Sequence, residues 1–131
     1  MVGLDTNVLV RFLVRDDEAQ FERARRLIRR EAAAGELVLI GLLVILETEW
    51  VLRSRYDLNK AEIFAAFSGL LESVEISIED EASLERALFV WKDSSAQFAD
   101  CLIGARNSAL SCRQTAAFNV KALRLPGFIT V

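Results

Sequence analysis

At 131 residues, 53% hydrophobic and 27% charged, the chain is long enough for one domain with a sizeable core and polar enough to stay dissolved. Its net charge of −3 argues against bulk attraction to nucleic acid, although a local basic patch remains compatible with that total. The absence of histidine excludes imidazole acid–base catalysis and any Ser-His-Asp triad.

In chain order, residues 2–5 read as a short buried strand, central in its sheet. Thr6-Asn7 then turns the chain, and residues 7–14 continue as an apolar helical segment. Arg15-Asp16-Asp17 is a break, with Asp16 or Asp17 capping a helix whose apolar face is Phe21, Ala24, Leu27 and Ile28 and whose end is Gly35. Residues 37–40 form a second buried strand, and a turn at Gly41 leads to a helix over residues 43–56. Asn59 caps a further helix with Ile63, Phe64, Phe67, Leu70 and Leu71 on one face. Residues 74–78 are a short extended piece, and Glu79-Asp80-Glu81 opens a helix with Leu84, Ala87, Leu88 and Trp91 in register. Ser94 or Ser95 caps the helix that carries Asp100 and ends near residue 110. Residues 112–118 are a strand candidate, 121–125 a turn or short helix, Pro126-Gly127 a turn and 128–131 a last strand. Short apolar strands alternating with helices predict an α/β fold with a parallel sheet covered by helices, as a single domain over residues 1–131.

The basic side is 13 Arg against 3 Lys. Arg suits bidentate phosphate contact, but compositional bias explains the ratio equally simply. Cys101 and Cys112 lack metal spacing and read as buried free thiols. Nothing before Asp5 resembles a signal peptide, and the longest apolar run, residues 37–46, is too short to cross a bilayer. A cytoplasmic protein without membrane association is expected.

Three carboxylates fall where charge is normally excluded. Asp5 closes the apolar Val2-Gly3-Leu4; Glu47 has Leu43, Val44, Trp50 and Val51 as helical neighbours; Asp100 lies within Phe98-Ala99-Asp100-Cys101-Leu102-Ile103-Gly104-Ala105. Individually each has an ordinary explanation: a helix cap for Asp5, an exposed edge for Glu47, a core-edge acid satisfied by backbone donors for Asp100. Of the two acids on the third helix, Glu47 is assigned inward and Glu49 outward, because Arg53 follows Glu49 at i+4 and offers a surface ion pair. Together the three acids point to a hard oxygen-bound ion, Mg²⁺ or Mn²⁺, able to serve phosphodiester hydrolysis. P-loop and dinucleotide fingerprints are absent.

These residues resemble a known family. Val2-Gly3-Leu4-Asp5-Thr6-Asn7-Val8-Leu9-Val10 resembles the opening of PIN-domain ribonucleases, Leu46-Glu47-Thr48-Glu49-Trp50-Val51-Leu52 their second acidic motif, and the Asp100 segment their third. Residues 117–128 resemble the closing segment, and the short form is most similar to VapC-type toxins of bacterial toxin–antitoxin pairs. The resemblance implies a three-layer α/β/α sandwich with a mostly parallel central sheet. It also implies Mg²⁺- or Mn²⁺-dependent endoribonuclease activity on RNA, a homodimer and a cognate antitoxin. Asp5, Glu47 and Asp100 would hold the metal, Asn119 would fill a fourth position, and Thr6 would support Asp5 by hydrogen bonding. Arg23, Arg25, Arg26, Arg29 and Arg30 would meet RNA or the antitoxin, or form a solvated helix face.

The tail departs from the family's usual Thr-Phe-Asp, having Ala117-Phe118-Asn119. An amide offers a carbonyl oxygen but no charge, which weakens metal binding. That departure keeps open a catalytically weakened domain acting as an RNA- or partner-binding module. A phosphatase with Asp5 as nucleophile would want a second acid at position 7, which is Asn7.

Overall fold

Short parallel strands organise both halves of the chain in a computed structural model that describes residues 1–131. Two units divide it, Met1–Glu79 and Asp80–Val131. With six helices and every strand pair parallel, the chain has the α/β class with a parallel sheet expected from its sequence.

The first unit runs β1 (Val2–Gly3), α1 (Thr6–Val14), α2 (Glu18–Ala33), β2 (Val38–Ile40), α3 (Leu42–Arg55), α4 (Lys60–Glu72) and β3 (Ile76–Ile78). Its sheet order is β1-β2-β3, with Val2 opposite Val38 and Val38 opposite Ile76. Val38 and Ile40 in the middle strand are fully buried. The first strand departs from expectation: it has two residues, both exposed, and lies at the edge of this sheet. Its shortness has a local reason. The Asp5 carboxylate accepts the Val8 N–H at 3.1 Å and starts α1 at Thr6, so only Leu4 remains to be buried.

Each following helix has a chemical start. Asp17 accepts from Gln20 N–H at 3.0 Å to open α2, and Gly35 beyond its end adopts a φ of 78°. Asn59 and Glu62 form a reciprocal capping box at α4. Helix α3 has Gly41 at its N-cap and therefore no capping side chain of its own. Glu79, just past β3, supplies the missing acceptor: its Oε1 takes the Leu42 N–H at 2.8 Å, placing a negative charge at the positive end of α3.

The second unit comprises α5 (Glu81–Lys92), α6 (Phe98–Ala109), β4 (Thr115–Ala117), a 3₁₀ turn (Ala122–Arg124) and β5 (Phe128–Thr130). Leu84, Ala87, Leu88 and Trp91 of α5 are buried, as are Phe98, Cys101 and Leu102 of α6. The Trp91 and Phe98 rings meet edge-on, with centroids 5.1 Å apart. β4 and β5 pair in parallel, Thr115 opposite Phe128. A Cβ at Gly104 would lie 2.5 Å from the Phe128 ring, so glycine admits that ring against α6.

Two expectations for this unit are corrected. Neither Ser94 nor Ser95 caps α6; Gln97 holds the N-cap position, because Ser94 Oγ accepts the Ala96 N–H at 2.9 Å and keeps this stretch in a turn. Cys112 is exposed rather than buried. After α6, Ser111 takes a φ of 69° and Cys112 N–H returns to Asn107 C=O at 2.9 Å, a terminating turn that holds Cys112 at the surface and delays β4 to Thr115.

Candidate active site

Glu47 sits midway along α3, and α3 is fixed at both ends. Glu79 holds its first turn. At the other end the Tyr56 hydroxyl donates to Asp16 at 2.9 Å and accepts from Arg11 at 2.9 Å, while Arg11 also pairs with Asp16 at 2.7 Å and donates to Gln20 at 2.6 Å. This network joins α1, the α1–α2 turn, α2 and the end of α3. The Arg11 hydrogen bond holds the Asp16 carboxyl below the usual carboxylate range, and Tyr56 is pushed up, chiefly by desolvation.

With the frame set, the Thr6 hydroxyl at the start of α1 donates to Glu47 Oε1. The sequence pointed to Thr6 as a support for Asp5; its bonded partner is Glu47. Asp5, one residue earlier, engages one oxygen in capping α1. Neither Asp5 nor Glu47 is paired with a Lys or Arg.

The burial of α3 reverses the sequence assignment. Glu47 is exposed and Glu49 is buried, at 3% exposure. Trp50, a helical neighbour of Glu47, is 49% exposed with it. Glu49 can turn inward because Arg53, one turn on, donates to it at 2.9 Å from the half-exposed side of the helix. The same hydrogen bond raises the Arg53 pKa. The i+4 ion pair expected from the sequence exists, but its acid is in the core.

In the second unit, Asp100 lies in the first turn of α6, half-buried, its backbone N–H held by Gln97 C=O at 3.1 Å. Asn119 is exposed, and its Oδ1 accepts from Lys121 and Ala122 N–H at 2.8 and 3.3 Å, opening the 3₁₀ turn. Among the α2 arginines, Arg25 pairs with Glu22 at 2.8 Å, while Arg23, Arg26, Arg29 and Arg30 are exposed. Sequence reasoning placed Asp80 at a helix opening but missed its side-chain bonds: its carboxylate accepts from the Ser83 hydroxyl and from Arg106, each at 2.6 Å. The Asp-x-x-Ser spacing at a helix start was the available signal.

The PIN domain family matches residues 2–106. This chain belongs to that family. The matched stretch of the PIN domain includes Asp5, Glu47 and Asp100 and stops before Asn119. PIN domains are generally nucleases that act on RNA or other nucleic acid and use divalent metals. No curated protein matches the chain. No helix of this PIN domain is long and apolar enough to cross a membrane.

No group of three or more acidic or thiol side chains gathers to hold a metal within either unit, and the first unit offers two carboxylates, the oxygen donors that a hard divalent ion takes. Asp5 and Glu47 are both exposed and without a cationic partner, and Glu47 is bonded to Thr6, the residue that follows Asp5. Mg²⁺ is commonly bound through one or two carboxylates with waters and substrate phosphates completing its shell.

Proposed function

We propose that this PIN domain is a metal-dependent endoribonuclease and the toxin of a type II, VapC-type toxin–antitoxin pair. The observation carrying the reading is the Thr6–Glu47 hydrogen bond, which sets a second carboxylate beside the segment bearing Asp5 and leaves both acids without a cation. Asp5 and Glu47 are the proposed Mg²⁺ or Mn²⁺ ligands, with Asp100 as third acid on the strength of its motif alone. A divalent ion bound there would supply charge neutralisation at the scissile phosphate and polarisation of the attacking water. The chain's own residues do the positioning: Asp5 is fixed by its cap, Thr6 orients Glu47, and exposure leaves both carboxylates reachable by an RNA strand. The same reading carries a cognate antitoxin, a homodimer and a cytoplasmic setting. Cleavage of a single-stranded RNA in Mn²⁺, abolished by EDTA, is the expected result; undiminished cleavage in EDTA, or none in either condition, contradicts it.

A second reading has one observation of its own. Asn119 stands where the family usually has an acid, and its side-chain oxygen is taken up by two backbone donors. In that case the domain binds RNA or a partner without cutting, and the same assay returns binding with no product in Mn²⁺.

A further inference from the structure

We infer that the groove between α1 and α2 is a phosphate track in which Arg23, Arg26 and Arg30 hold an RNA strand on both sides of Asp5; this rests on the ribonuclease reading. The groove encloses about 630 Å³, and Asp5 and all three arginines line it. The arginines recur at i, i+3 and i+7, so they share one face of α2, the face turned to α1. None has an acidic partner in an ion pair, whereas Arg11 on the facing wall is already held by Asp16. A concentrated positive field of this kind stands out in a chain whose net charge is −3.

The placement of Asp5 follows from helix arithmetic. Helices α1 and α2 are joined by residues 15–17 alone and pack side by side, Arg11 bonding Gln20 and Phe12 stacking on Phe21 with centroids 5.8 Å apart, so they form an antiparallel hairpin. Asp5 lies six residues before Arg11, about 9 Å along the axis at 1.5 Å per residue, which brings it level with Arg26, six residues after Gln20. Arg23 then lies about 4.5 Å to one side and Arg30 about 6 Å to the other. Arginine forks match phosphate oxygens in pairs. A phosphodiester chain laid along α2 is therefore gripped upstream and downstream of the phosphate that faces Asp5. An acidic protein segment would also meet the arginines. RNA is favoured because the groove contains Asp5, and the family's substrates are nucleic acid.

The test is binding of a fluorescent single-stranded RNA by the full chain in EDTA, where no metal-dependent cleavage intervenes, read by anisotropy across a salt series. Arg23→Gln/Arg26→Gln/Arg30→Gln should lose about 10–100-fold in affinity, and the slope of log K against log salt should become shallower by about 2, at roughly 0.7 per lost contact on a single strand. Arg86→Gln/Arg113→Gln/Arg124→Gln removes the same charge at exposed, unpaired positions outside the groove and should leave the slope unchanged. Glutamine is a good helix former, and retained helical circular dichroism confirms folding of both variants. Equal losses in both triples overturn the groove assignment while leaving the ribonuclease reading standing. Wild type that fails to bind RNA in EDTA, or that binds poly-glutamate instead, overturns the groove assignment, and the ribonuclease reading is decided separately by cleavage in Mn²⁺.

Discussion

Asp5 does two jobs that one substitution separates. Its side chain caps α1 through the Val8 N–H, and its charge belongs to the proposed metal site. Asparagine caps a helix about as well as aspartate but carries no charge. Asp5→Asn should therefore melt within a few degrees of wild type, by about the shift expected for under 1 kcal/mol, and lose RNA cleavage by about 100-fold or more. Thermal melts and a gel cleavage assay in Mn²⁺ check the two halves; unchanged cleavage removes Asp5 from the site. The cap was legible in the sequence, because an acid before an apolar helical run has few other readings. The orientation of Glu47 and Glu49 was not. Helix α3 reads Leu42-Leu43-Val44-Ile45-Leu46 before the acids and Trp50-Val51-Leu52 after them, apolar on every side, so periodicity selects no buried face. What decides is the tertiary pair of choices: Arg53 neutralises Glu49 in the core, and the Thr6 hydroxyl claims Glu47 outside it.

At the level of elements, the start of α5 carries the most chemistry in one residue. Asp80 has a φ of 54°, a region that Asp and Asn enter more readily than other non-glycine residues. Its two oxygens take the Ser83 N–H at 3.2 Å, the Ser83 hydroxyl and Arg106. The Ser83 hydroxyl above all, with the Ser83 N–H and Arg106, holds the Asp80 carboxyl below the usual range. A folded value below the unfolded one means that this contribution is complete above about pH 4, the unfolded value, and is lost as pH falls through the lowered folded one. Asp80→Ala should cost about 1–2 kcal/mol at neutral pH through the lost cap and the unfavourable backbone. Asp80→Asn keeps the cap and the conformation and should cost less. Urea midpoints from pH 2 to 7 check this: the gap between wild type and Asp80→Asn should close in acid, and a gap constant with pH rejects the charge argument. The order of strands and helices was readable in the sequence because caps at Asp17, Asn59 and Asp80 and the Gly35 stop are local signals. The β1 edge position was not, since it depends on pairing with a distant strand, as in Leu4 N–H to Leu39 C=O; nor were the start of α6 and the exposure of Cys112, which turn on local bonds, Ala96 N–H to Ser94 Oγ and Cys112 N–H to Asn107 C=O, that compete with equally local alternatives.

For the whole molecule, the toxin proposal makes a prediction that needs no purified partner. An endoribonuclease working even at about one turnover per second should exhaust susceptible RNA in a bacterial cell within minutes of induction. Induced expression of the chain alone should therefore stop growth. Growth arrest has a mundane competitor, because Leu43, Val74, Phe89 and Phe118 are 81%, 88%, 71% and 83% exposed, and apolar surface of that kind promotes aggregation. Asp5→Asn discriminates between the two causes: it keeps every one of those apolar side chains and the α1 cap while removing one charge from the proposed site. Expressed to the same level, the variant should permit growth if cleavage is the cause and arrest it equally if surface stickiness is. Total RNA from the arrested wild-type culture should contain discrete new 5′ ends that are absent from the variant. Arrest by both proteins with intact RNA would remove the toxin reading while leaving membership of the PIN family untouched.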